Sequence, residues 1–410
     1  AALLGGAGVA AAQGASPATG IACTSGPNFT LVTRVGYVTL PDGNTMYMWG
    51  YAEPGKDFQH PGPVLCVNQG ETVTVTLQNT FPIPVSIVFP GQQGVLADGL
   101  AAQPQLDGAG IATSLTNVAP AAAGVPGSVT YSFVASKPGT FLYESGTDPQ
   151  TQVRMGLFGA LVVRPAGAPD QANGRTDSKF TPGEEFLVLL SEIDPYQHQA
   201  AESGLPFNIT GYHPRYWLVN GRGFPDSIAD NFAGWLPNQP YGALARVYPM
   251  DAIRHPYPGL IRYLNVGSED YPYHPHGNNG LVIGRDGNAL EGPAGQDLSF
   301  EKFAVNVGPG QTWDVSFSWR DAESYSSAAN PVNVTTSNVA NLVHGMFYSG
   351  SPYLGETGPL PPGTNTLNQC GEYYIISHNH ALYQITSWGM TMSGPITYLR
   401  VDPPQPNNCP

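Results

Sequence analysis

Residues 70–78 read GETVTVTLQ, and their strict alternation decides the fold class. Val73, Val75 and Leu77 fall on one face and Thr72, Thr74 and Thr76 on the other, which predicts a half-buried strand. SVTYSFVA (128–135) repeats the pattern, and FGALVV (158–163) is a short run suited to a buried strand. Further strands are predicted in EEFLVLLSEI (184–193), YWLVNG (216–221), LIRYLNVG (260–267), FAVNVGPGQTWDVSFSW (303–319) and PITYLRVD (395–402). Helical periodicity is weak throughout. Glu184 and Glu185 open one strand side by side, so they face opposite ways, and we expect a solvated edge there.

Composition agrees with a turn-rich β protein. The chain has 410 residues, of which 50 are Gly and 40 Pro, with only 11% charged but 41% hydrophobic. Disorder requires the reverse balance. Sixteen basic against 30 acidic residues leave a net charge of −14, which disfavours nucleic acid and anionic membranes as partners. No run of about 18 apolar residues predicts a membrane span.

Two orders of motif recur. PGPVLCVNQGETVTV (61–75) and VGPGQTWDVSF (307–317) share turn, Gly, polar residue and alternating strand. GTFLYESGTDPQTQVRMGLFGALVV (139–163) and GEYYIISHNHALYQITSWGMTMSGPITYLRV (371–401) share Gly, aromatic strand, polar loop, Gly-Leu or Gly-Met, and a closing strand. The expected organisation is a signal-like or flexible tail (1–21), a first β-sandwich (22–165), a Pro/Gly-rich linker (166–183), a second sandwich (184–404) and a short tail (405–410). The four cysteines form no CxxC, and two disulfides, Cys23–Cys66 and Cys370–Cys409, suit an exported protein.

Of nine histidines, four form two His-x-His pairs: His274 with His276, and His378 with His380. Residues i and i+2 of a strand share a face, so each pair presents two imidazoles together. Imidazole suits copper, zinc, iron and nickel. Lone His60, His198, His213, His255 and His344 are expected at surface or capping positions.

In these motifs the chain resembles the two-domain multicopper oxidases, from about residue 60 to 403. PGPVLCVNQGETVTVTLQN is similar to the family's opening strand and MGLFGALVVRP to its closing strand. LVNGRGFPD, LIRYLNVG, YHPHGNNGLVIGRDG and VGPGQTWDVSF follow the family's order in the second half. The resemblance implies an all-β fold of two cupredoxin-like Greek-key β-sandwich domains. It also implies copper as cofactor, a secreted, periplasmic or cell-surface location, and a homotrimer, with a monomer as the alternative.

The family's copper ligands match only in part. Its first His-x-His-Gly falls on Val88, Phe89, Pro90 and Gly91, and its Tyr-His-Ser-His on Tyr143, Glu144, Ser145 and Gly146. The leading histidine of the third motif is Tyr271, followed by the retained His274 and His276. The His-Cys-His motif reads His378, Asn379, His380, a later histidine is Gln384, and Gly389–Met390 sits one residue out of register. A blue-copper site needs a thiolate with two histidines, so the resemblance implies none here. The expected metal site comprises His274, His276, His378 and His380, with Glu144 as a further ligand from a neighbouring subunit. Three functions follow as expectations: a copper-binding protein without laccase activity, a structural surface or assembly protein with a vestigial site, or a mononuclear His-site oxidoreductase. In the last, Tyr143, Tyr271 and Tyr273 join Glu144 around the metal.

Overall fold

The computed structural model describes residues 18–320 and 372–407. Residues 23–164 build one pair of sheets. The four-stranded one runs Cys23–Ser25, Val64–Asn68, Phe158–Arg164, Gly139–Glu144; the six-stranded one includes Thr45–Ala52, Asn28–Thr39, Thr72–Asn79 and Gly127–Val134. The predicted alternation holds: Val73, Val75 and Leu77 are fully buried and pack with Leu65, Tyr131, Phe133 and Leu161 between the two sheets. The Cys23–Cys66 disulfide fastens the first strand to its parallel neighbour. Cys370, Cys409, His344 and residues 1–17 lie outside the described residues.

Residues 185–401 build the second pair of sheets. A nine-stranded sheet has Thr312–Phe317, Gly259–Asn265, Glu185–Ile193 and Tyr216–Val219 at its centre. A five-stranded sheet runs Ala245–Val247, Ile396–Val401, Tyr373–Asn379, Tyr271–Pro275, Val305–Val307. The continuous apolar stretch FAVNVGPGQTWDVSFSW divides at its Gly-Pro-Gly turn, and its two strands join different sheets. Strands are the rule because β-branched and aromatic residues fill them and Gly or Pro punctuates the intervals.

Three expectations change. Residues 18–21 are not a free tail: Ala18 and Gly20 carbonyls accept from Asn231, and Ile21 N donates to Glu185. Residues 166–183 are not an extended tether, since Ala172 and Phe180 are buried against Leu260 and Ile283. Glu184 and Glu185 do face opposite ways, but both are buried rather than solvated. Glu185 accepts from Arg164 and Arg262, each at 2.7 Å. Arg262, fully buried, also reaches Asp314 at 3.2 Å and Thr140. Thr140 and Arg164 belong to the first half, so this chain of charges crosses between the halves. Burial pushes the Glu185 carboxyl up, but the two guanidiniums outweigh it and hold it below its usual value. Around the charges, Val64, Leu142, Phe158, Leu187, Leu189 and Leu264 form an apolar layer shared by both halves. Gly139 lets them approach: a Cβ there would sit 3.1 Å from the Cα of Gly287.

Among the described residues, Glu184 has no such guanidinium partner. Burial pushes its carboxyl up to about 8, with the Asp402 charge adding and the Tyr248 N–H opposing. The unfolded chain therefore loses this proton before the native protein does. Its contribution to stability is full below about pH 4.5 and falls as pH rises toward 8. Glu184→Gln should match the wild type near pH 5 and exceed it by on the order of 3 kcal/mol above pH 8. Thermal melts of both proteins across that range check this, and a difference that does not change with pH contradicts it.

Candidate metal centre

The strands Tyr271–Pro275 and Tyr373–Asn379 are antiparallel neighbours, and their register sets His274 directly opposite His378. His276 and His380 each follow one residue beyond the strand end. All four predicted histidines therefore meet, although more than a hundred residues separate the pairs. Ring centroids lie 4.6 Å apart for His274–His276, 5.1 Å for His276–His378, 5.4 Å for His274–His380 and 5.5 Å for His378–His380.

Ring orientation is held from outside the cluster. His274 Nδ1 bonds the Phe303 carbonyl at 2.7 Å and His378 Nδ1 bonds the Asn379 carbonyl at 2.8 Å. A carbonyl accepts only, so each Nδ1 carries the proton and each Nε2 keeps its lone pair, the usual second contact of a metal-binding imidazole. His276 Nε2 and His378 Nε2 are 3.0 Å apart. Two nitrogens bound at about 2.0–2.1 Å to one ion at a near-right angle have this separation. Burial lowers His378 to about 4, against the Asn379 carbonyl, and the other three imidazoles lower it further. Burial and its neighbours also lower His276. Uncharged imidazole is the form that binds metal.

The fit is that of a chelating pair rather than a finished cage. Among the described residues no group of three or more His, Cys, Asp or Glu stands ready to hold an ion. His276 and His378 present two nitrogens 3.0 Å apart, and the rings of His274 and His380 lie beside them. The rings of His274 and His276 border an open cleft of about 400 Å3 that also includes Asn278, Asn279 and Phe303. Phe303 was not among the sequence candidates. Its carbonyl orients His274, a backbone role that no residue type announces.

Among the described residues, no hydrogen bond or ion pair joins Glu144 to a histidine. Glu144 is half-buried and burial alone raises its carboxyl to about 6. Its backbone pairs with Val88 through N–O contacts of 2.8 and 3.2 Å. The first half thus repeats, with Val88 and Glu144, the cross-strand pairing that the second half makes with His274 and His378.

Next to the histidines lies a polar network. The Asn379 amide donates to Gln384, and Gln384 Nε2 donates to Glu269 at 2.6 Å. Trp217 Nε1 donates to the same carboxylate at 2.8 Å. Tyr271 donates to buried Glu192 at 2.6 Å. Tyr143 and Tyr273 give their hydroxyls to the Pro63 and Ser377 carbonyls, at 2.7 and 3.4 Å. The lone histidines divide. His213 is exposed and His255 stacks on Tyr248 at 4.9 Å. His60 and His198 are fully buried, contrary to the surface expectation, and burial lowers them to about 3 and about 4.

Residues 36–168 match a family model described as multicopper oxidase. L-ascorbate oxidase of Cucumis sativus is 30% identical over 184 residues, 43% of this chain and 27% of that protein. L-ascorbate oxidase of Cucurbita maxima is 28% identical over 253 residues, 58% of this chain and 38% of that protein. Residues 36–168 carry a multicopper oxidase domain. The chain spans roughly a quarter to two fifths of the length of these curated relatives. The solved multicopper oxidase mgLAC superposes with a TM-score of 0.56 at 20% identity, over 92% of this chain and 86% of that one. A blue copper oxidase from Nitrosomonas europaea superposes at 0.54 and 17%, over 92% and 85%. At such identities the structures speak for the fold. Copper is the metal that multicopper oxidase homologues bind.

Proposed function

We propose that the chain is an exported copper-binding protein of the multicopper oxidase family that lacks a blue-copper site and does not act as a laccase. The observation that carries this is the hydrogen bond between Asn379 and Gln384. The resemblance assigns the blue-copper thiolate and one histidine to these two positions, and the other histidine to Tyr271. All three side chains are engaged with one another or with Glu269 and Glu192. An amide, an amide and a phenol do not replace a thiolate and two imidazoles.

His276 and His378 would hold the copper, with His274 and His380 as further donors. A bound copper ion would supply one-electron redox chemistry at this site. The chain's own part is to keep the imidazoles neutral and fixed by the Phe303 and Asn379 carbonyls. The Cys23–Cys66 disulfide supports an oxidising compartment. A homotrimer is the assembly in which Glu144 would reach a neighbour's histidines, and light scattering at three times the chain mass tests it.

Elemental analysis joined to oxygen uptake tests the function. We expect one copper per chain and no oxygen consumption with ascorbate or a phenol above a free-copper blank. Sustained turnover would overturn the proposal, and so would protein that emerges from copper loading without metal.

A further inference from the structure

A second cleft, of about 600 Å3, lies where the first half meets the helix Pro195–Glu202. Its aromatic walls are Tyr47, Tyr196, Tyr216 and Trp388, and its acids are Asp42 and Glu202. The Trp388 ring meets Tyr196 edge-to-face at 5.9 Å and Tyr216 at 6.0 Å, with interplanar angles of 62° and 69°. Tyr216 is buried behind them, whereas Trp388 and Tyr196 keep 46% and 54% of their surface exposed. Two large rings are thus held in place yet left uncovered.

Trp388 also has an unusual backbone. It takes φ 47° and Gly389 takes φ 83° in the two-residue turn between Thr386–Ser387 and Met390–Thr391. Such turns favour Asn-Gly, because both central residues need positive φ. An indole at the first of them is strained, and strain of this kind collects at binding sites.

The charge around the rings has one sign. No Lys or Arg lines the cleft, and among the described residues neither Asp42 nor Glu202 has an ion-pair partner. Both carboxylates are nevertheless hydrogen-bonded. Asp42 accepts from the Asn44 amide at 2.8 Å and from the Tyr216 hydroxyl at 2.9 Å, and Glu202 accepts from Tyr37. They supply negative potential while their acceptor sites are partly occupied.

We propose that this cleft binds a methylated ammonium group, such as the head of a choline-like compound. An electron-rich indole face attracts a cation, and tyrosine rings inclined to it at 62° and 69° add further π surface for one whose charge is spread over methyl groups. A primary ammonium is less suited, since it is strongly hydrated and needs free acceptors for its three donors. This cleft shares no lining residue with the cleft beside the histidine cluster.

Calorimetric titration of the whole protein with three probes tests this: choline, its uncharged carbon isostere 3,3-dimethyl-1-butanol, and ethanolamine. Choline should bind at least about tenfold more tightly than the isostere, the scale of a cation–π contribution, and more tightly than ethanolamine. Trp388→Ala should remove that preference and Trp388→Phe should keep part of it, with circular dichroism unchanged in both. Glu202→Gln should weaken choline and leave the isostere unaffected. Equal affinity for choline and the isostere would reduce the site to a plain apolar cleft and overturn the proposal. Tighter binding of ethanolamine, or no choline binding in the high-millimolar range, would overturn it as well.

Discussion

Arg262→Leu should destabilise the protein by about 3–5 kcal/mol, the cost of leaving one side of a buried ion pair without its partner. Arg262 has no solvent exposure and touches Glu185, Asp314 and Thr140. Without it, among the described residues, Glu185 keeps only Arg164, and Asp314 keeps only the Thr140 hydroxyl. Burial already raises the Asp314 carboxyl even with Arg262 present, so the variant's carboxylates would take up protons and the loss would be largest at high pH. The triple change Arg262→Leu, Glu185→Leu, Asp314→Leu should recover most of the stability, because no charge is then left alone. Thermal melts of the single and triple variants at two pH values check both expectations. An Arg262→Leu protein that melts like the wild type would show that the apolar layer between the halves carries the interface alone.

The second large effect concerns the metal. His276→Ala should weaken Cu(II) binding by at least about 100-fold, the upper end of what losing even an outer partner of a metal ligand does. The reason is geometric. His276 Nε2 and His378 Nε2, 3.0 Å apart, are the two donors already placed to share an ion. His213→Ala, at an exposed position in the same half, should leave the affinity unchanged. Competition against a coloured chelator reads both. Equal affinities for His276→Ala and the wild type would move the site elsewhere.

The fold was legible because it rests on local patterns. GETVTVTLQ and SVTYSFVA became neighbouring antiparallel strands with the predicted buried faces. The convergence of the two His-x-His pairs was also legible, since the family resemblance set both pairs at one metal site. What stayed hidden depends on contacts distant in sequence. Glu184 and Glu185 read as a solvated edge because nothing near them announces Arg262, 77 residues on from Glu185. His60 and His198 read as surface histidines because an isolated polar residue gives no sign of burial. The network around Asn379, Gln384, Glu269 and Glu192 joins segments up to 115 residues apart. The aromatic cleft is assembled from 42–47, 195–202, 216 and 388, and no single stretch contains it.

The most direct test of the account is the electron paramagnetic resonance spectrum of the protein carrying one equivalent of Cu(II), recorded with its absorption spectrum. With two or more imidazoles and no thiolate, it should show one type 2 signal with wide copper hyperfine splitting and nitrogen superhyperfine structure, from a colourless or faintly coloured sample. A narrow hyperfine splitting together with an intense blue band would place a thiolate on the copper and contradict the account.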